Sequence, residues 1–413
     1  MKIQIRRIDK INLYDFVYSI LLFFSLMIDE NAFLAGKLQG RYVYYMNVIA
    51  IAFSIMYIGI KRKKISTIIN KQYIHFLCPY IIVFAWSLLI GFIRTEMPIA
   101  EVFRSGLYWF APIILSACAV TIRGYKAIDV TYKVVLINYL CVIIRCIQNN
   151  GLGYLFNLRN YFDNYASLLE VHTIGLAVAL FLIYYYYEAD QKNEHLPTKF
   201  WLGTLVMFMC FKKIAIFAFV AIIFIHMFLK VKINIALKSK LKIFIGIVLI
   251  ASFAYLIAVK YNLIQQLLEI IGINTMTRIE TWQELADYYD ISPLFLGHGA
   301  GFTTYHFKSI GGIYINGHWN TVGDAHNDIL KAYIDFGFIC FVLFISFFTV
   351  GNIRYYIKKR MNKTALLFAL LITYTVILMF TDNIIRYDLY LIVLYMIPVV
   401  CATNEIHMRG EGK

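Results

Sequence analysis

Long apolar runs broken by short polar intervals organise nearly the whole chain. A spanning helix needs about 20 mostly apolar residues, and the runs that reach or approach this length predict spans near 15–34, 42–60, 73–93, 105–122, 131–148, 169–187, 199–211, 214–229, 243–259, 336–351, 364–380 and 388–403. The pattern therefore predicts an all-α integral membrane protein of about 12 transmembrane helices, a single polytopic domain over 1–413. Lys212-Lys213 interrupts the apolar stretch 199–229, which reads as two short spans or as one interrupted helix. Arg6, Arg7 and Lys10 before the first run resemble the start of a signal peptide. Asp29-Glu30 follows without a convincing small-residue cleavage site, so that run is read as a retained helix.

One segment departs from this pattern. Residues 260–335 hold four of the nine histidines together with clustered Gly, Asp and Asn, and form the longest stretch without a span. Basic residues near helix ends resist translocation. With both termini cytoplasmic, the inner set contains Lys61-Arg-Lys-Lys64, then Lys230, Lys232, Lys238, Lys240 and Lys242, then Arg354 through Lys363. This orientation makes 260–335 one large extracytoplasmic loop, with smaller outer segments at 94–104, 149–168 and 381–387.

Composition agrees with a membrane solvent: 61% of residues are hydrophobic, 15% are charged, and the mean hydropathy is +0.68. The net charge of +15 sits in short loops between spans, so it is topological, and nucleic acid is not an expected partner. The seven cysteines fall in apolar runs without CxxC spacing. They read as small buried hydrophobes, against both a disulfide framework and a thiolate metal site.

The loop carries the candidate chemistry. Thr277-Arg-Ile-Glu280 has capping-box spacing and predicts a helix running to about Asp290. Arg278 would then be a cation at a positive helix end, a conflict that a phosphate would relieve through free N–H groups and a guanidinium fork. The plainer reading pairs Arg278 with Glu280 or Glu284. Beyond Ser292-Pro293, the glycines Gly297, Gly299 and Gly301 shape a turn where backbone can approach closely; no Walker lysine follows, which disfavours a nucleotide fold. Asp324 is the expected N-cap of the next helix, with His326 in its first turn. An imidazole there resists protonation and can serve a sugar hydroxyl, oriented by Asn327 and Asp328, or it simply caps local structure. The intervals among His298, His306, His318 and His326 match no common zinc pattern, so no metal is expected. Outside the loop, Lys212 and Lys213 are cations between apolar runs, functional or snorkelling to an interface. Arg104 at a helix start poses the same alternative. Tyr288, Tyr289, Tyr305, Tyr314 and Trp319 read as sugar-stacking or interfacial aromatics.

Taken together, an arginine-bearing helix, Leu296-Gly-His-Gly-Ala-Gly301, His326-Asn327 with Leu330, Gly337 entering a span, and Lys212-Lys213 at a span junction resemble the bacterial O-antigen polymerase and O-antigen ligase superfamily. The recognisable motif covers about 278–337. This resemblance implies a GT-C-like glycosyltransferase with no cofactor, in the bacterial cytoplasmic (inner) membrane, with its site facing the periplasm or outer side. The implied partners are an undecaprenyl-diphosphate-linked oligosaccharide donor and acceptor, membrane lipid, and a chain-length regulator. Arg278 would hold the diphosphate and His326 would serve the acceptor hydroxyl, the two catalytic assignments. Lys212 or Lys213 matches the second cationic contact, where the family more often has arginine. Of the two members, a polymerase extending surface polysaccharide is the preferred expectation over a ligase acting on lipid A core. A transporter or flippase for the same lipid-linked sugar is the rival from another class; it would show paired broken helices or related halves, and neither is seen.

Overall fold

The computed structural model describes residues 12–26, 41–63, 66–157, 159, 168–231, 237–271, 278–315, 318–320 and 324–410. Each expected span has a helix: α1 (Leu13–Leu26), α2 (Arg41–Ile60), α3 (Thr67–Arg94), α4 (Ile99–Arg123), α5 (Lys126–Asn150), α6 (His172–Lys192), α7 (Thr198–Cys210), α8 (Lys213–Val231) and α9 (Leu237–Lys260). Three short helices follow, α10 (Leu263–Ile271), α11 (Arg278–Ala286) and α12 (Phe302–Ile310). The last spans are α13 (Asp328–Lys358), α14 (Asn362–Met379) and α15 (Asp388–Gly410). Among the described residues, seven helices are long and apolar enough to cross a membrane and four apolar ones are shorter. The twelfth, α6, is set apart by Tyr184 through Tyr187 and Glu188, which lower its hydropathy, yet Ile174 through Ile183 are all buried. Protein rather than lipid surrounds it, as polar content inside a bilayer requires.

The interruption at Lys212-Lys213 is a reversal, not a bend. Lys199 at the start of α7 pairs with Asp129 near the start of α5, 2.5 Å away. At the other end the Cys210 thiol donates to Val171 O over 3.2 Å, just before α6 begins. α8 then returns, so that His226 meets Asp190 near the end of α6 at 3.2 Å. Phe211 makes the turn with a left-handed φ of 46°. α7 and α8 are thus two short antiparallel spans.

α15 forms the centre, with every residue from Leu389 to Ile397 buried. By contrast, α8 and α9 expose Phe217, Phe224, Ile247 and Ile250, the expected outward face of a membrane domain. The basic loops fall on the face opposite the large loop: Lys63 donates to Ile122 O over 2.8 Å and Arg409 to Arg360 O over 2.6 Å. The described ends of the chain lie there too, since Tyr57 donates to Asn12 Oδ1 over 3.0 Å beside the end of α2.

On the loop face, the glycine segment is seated in a break of α13. Gly337 has φ 74° and ψ 173°, non-helical values inside the helix. His298 N donates to Ile334 O (3.1 Å), Gly299 N to Asp335 O (2.8 Å) and Phe338 N to Phe295 O (2.8 Å). Gly297 and Gly337 face each other so closely that a Cβ on either would overlap the other's backbone. Below them, Asp335 accepts from Gly301 N and Thr303 N, each over 2.9 Å, which fixes the start of α12. The loop also contains a small departure from helix, an antiparallel pairing of β1 (Ile313–Ile315) with β2 (His318–Asn320).

Candidate functional site

α11 lies against the 324–328 segment because Trp282 donates its indole N–H to Ala325 O over 2.9 Å. The helix ends at Ala286, short of the expected Asp290, since Lys260 of α9 takes the carbonyls of Ala286 and Tyr289, each over 2.7 Å. Thr277, the expected N-cap, lies outside the described residues. Arg278 makes no ion pair among the described residues: Glu284 is taken by His306 at 3.0 Å, and the groups that sense the guanidinium are His326 and Tyr255.

The start of α13 differs from expectation in one respect. Asn327, not Asp324, is the N-cap, its side-chain oxygen accepting from Leu330 N over 2.8 Å. Its Nδ2 donates to Tyr255 Oη and Phe380 O, each over 2.6 Å. These bonds use both N–H donors and one of the two oxygen lone pairs, so Asn327 holds three elements together. His326 consequently precedes the cap rather than sitting in the first turn, with a left-handed φ of 48°. Burial lowers its pKa, Arg278 lowers it further, and Asp382 and Asp324 oppose this; the net direction is down. The imidazole therefore stays neutral at neutral pH, by burial and a nearby cation rather than by a helix end.

Asp324 serves as a charge anchor. Lys331 Nζ lies 2.9 Å from its Oδ2, and Arg386 NH1 pairs with the same oxygen. Burial alone would raise its carboxyl, but Lys331 and Arg386 hold it well below the usual carboxylate range. Asp328 accepts from Ile385 N over 2.8 Å. The 381–387 turn between α14 and α15 is thus tied to this segment at two points.

Lys212 is buried and twice paired, 3.1 Å from Asp382 Oδ2 and 3.4 Å from Glu170 Oε1. An anion reaching its ammonium would have to displace two carboxylates. Lys213 begins α8 and is exposed. Arg104, on α4, pairs with Glu101 at 2.6 Å and lines a solvent-open cavity with Tyr108, Trp109, Lys308, Lys331 and Arg386. Neither Arg278 nor His326 lines that cavity.

The structure therefore joins Arg278 to His326, with Asp382, the partner of Lys212, also acting on the imidazole, while Arg104 lines a cavity that neither Arg278 nor His326 lines. Glu170, Asp382, Lys308 and Lys331 were missed by the sequence reading; single charges in short loops carry no spacing signal. Gly297, Gly299 and Gly301 all have positive φ and seat the loop. Tyr289 is buried, donating to Leu256 O over 2.7 Å, which removes it as a sugar platform. His298 is held by Glu96 at 2.5 Å. Among the described residues no three His, Cys, Asp or Glu side chains converge as a metal site would need.

The fold is that of a polytopic membrane protein that brings an Arg and a His together on one loop face. Residues 199–345 match the family model described as O-antigen ligase, so this part of the chain is similar to that family. The matched residues include Arg278, His326 and the Lys212 turn. A comparison with curated proteins gave no match.

Proposed function

We propose that the chain transfers a glycan from a lipid-diphosphate carrier to a sugar hydroxyl, acting as a surface-polysaccharide polymerase on the outer side of a bacterial cytoplasmic membrane. The observation that carries this reading is the pairing of Arg278, without an ion-pair partner among the described residues, with the neutral imidazole of His326. In the reaction the bond between the anomeric carbon and the diphosphate oxygen breaks, and the acceptor oxygen bonds to that carbon. His326 takes the hydroxyl proton. Arg278 meets the charge that develops on the leaving diphosphate, where a fixed cation stabilises the transition state more than the ground state. The apolar outer faces of the spans suit the polyprenyl tails.

The acceptor would be a second lipid-linked repeat unit. The description of the matched family favours a ligase instead, with lipid A core as acceptor. Membranes reconstituted with the purified chain and lipid-linked repeats, with and without lipid A core, separate the two. Lengthening of lipid-linked glycan without lipid A core is the expected result; product only on lipid A core would establish the ligase reading. His326→Ala and Arg278→Ala should each lower transfer by about 10²-fold or more. Full elongation by a stably inserted Arg278→Ala protein would overturn the assignment.

A further inference from the structure

We propose that the cavity between α4, α12, α13 and the 381–387 turn is an anion subsite for a carboxylate or phosphate carried by the glycan itself, with Lys308 as its recognition residue. The proposal rests on the glycan-transfer reading and adds to it a preference for acidic sugars.

Four cations line the cavity: Arg104, Lys308, Lys331 and Arg386. Three of them have carboxylate partners, Arg104 with Glu101 and both Lys331 and Arg386 with Asp324. The acids that also line it are occupied by backbone, Asp328 by Ile385 N and Asp335 by Gly301 N and Thr303 N. Lys308 is exposed, in the last turn of α12, and makes no ion pair among the described residues. Partial desolvation of its side chain lowers its pKa, and Arg104 and Arg386 add to this against Glu101 and Asp324. An ammonium crowded by guanidinium groups is relieved by an arriving anion.

The lining suits the acidic group of a sugar. The cavity opens to solvent, so that group can enter while the rest of the glycan stays outside. Tyr108 offers an aromatic face already covered on one side by Arg386, 5.0 Å from the ring centroid. Arg104 and Glu101 are a local i,i+3 pair with Arg104 half exposed, and such pairs are weak enough to exchange for a ligand. The leaving diphosphate belongs elsewhere, since neither Arg278 nor His326 lines this cavity.

The test is equilibrium binding to the full chain in detergent, which needs no turnover. The probes are a glucuronate-containing oligosaccharide, a sugar phosphate, a neutral oligosaccharide of equal length, and inorganic pyrophosphate. At least one charged sugar should bind more tightly than the neutral one, and Lys308→Glu should weaken that binding about tenfold or more while Lys308→Arg keeps it within about threefold. Whichever charged probe responds identifies carboxylate or phosphate. Arg278→Ala, with an unchanged melting temperature, should leave sugar-acid binding intact. Charged-sugar binding that ignores Lys308→Glu, or neutral and charged probes weakened alike, would overturn the subsite. Loss of pyrophosphate binding in Lys308→Glu but not in Arg278→Ala would also overturn it, by moving the carrier diphosphate into this cavity. Intact sugar-acid binding in a chain that transfers no glycan would count against the proposed function alone.

Discussion

Lys212 Nζ stands 3.1 Å from Asp382 Oδ2, joining the reversal between α7 and α8 to the turn between α14 and α15. Both side chains are nearly inaccessible, 8% and 1% exposed. Removing one partner leaves the other buried and unpaired, which costs about 3–5 kcal/mol, whereas an apolar replacement of both is often close to neutral. Lys212→Ala should therefore lower the melting temperature sharply, and Lys212→Met with Asp382→Leu should recover much of the loss. A Lys212→Ala protein that melts normally but binds pyrophosphate poorly would restore Lys212 as a diphosphate ligand.

The acid limb of stability has a defined sign. Burial would raise the Asp382 carboxyl, but Lys212, then His172 and Asn383 N–H, bring it down to about 2 from an ordinary 3.8. Its contribution is complete above the ordinary value and is lost as pH falls toward the folded one. Asp382→Asn should reduce stability at neutral pH and flatten its decline between about pH 4 and 2, measured by thermal melts across that range.

In the proposed reaction His326 would set the opposite kind of limb, on activity. Its pKa lies below the ordinary histidine value, so transfer should rise with pH and reach half its plateau below about pH 6.5. Arg278 contributes to that depression, and its replacement by Gln should move the limb upward in the residual activity. The pH dependence of kcat/KM checks both; a half-rise above the ordinary value would remove His326 as a neutral base.

Asn327→Ala removes a cap and two further bonds. Caps alone contribute about 0.5–2 kcal/mol. The expected outcome is lower stability with KM for acceptor unchanged in the folded fraction. Raised acceptor KM at full stability would return Asn327 to an acceptor-orienting role.

The spans were legible because lipid leaves little choice: an apolar run must form a helix that satisfies its own backbone. Direction was harder. Whether Lys212-Lys213 bent or reversed the chain depended on Cys210 meeting Val171, a contact between distant segments. At the start of α13, Asp324, Asn327 and Asp328 are all good caps, and only Lys331 and Arg386 decide that Asp324 turns toward them. The β1–β2 pairing did leave a signal that was not used. Asn316-Gly317 between alternating segments is a strong hairpin dipeptide.

Gly297 and Gly337 give a further expectation. Gly297→Ala or Gly337→Ala should destabilise far more than Gly311→Ala, where a methyl meets nothing within 4 Å. All three have positive φ, but Gly337, at ψ 173° against 0° for Gly311, adds backbone strain to its contact. Equal losses in thermal melts would show that the contact contributes nothing beyond strain.

That contact makes the loop and the span a single inheritance unit. Neither glycine can change without its counterpart's backbone moving, so a loop transplanted from a related protein would arrive without its socket. Chimaeras of this chain should be cut after the socket in α13, not at the membrane surface.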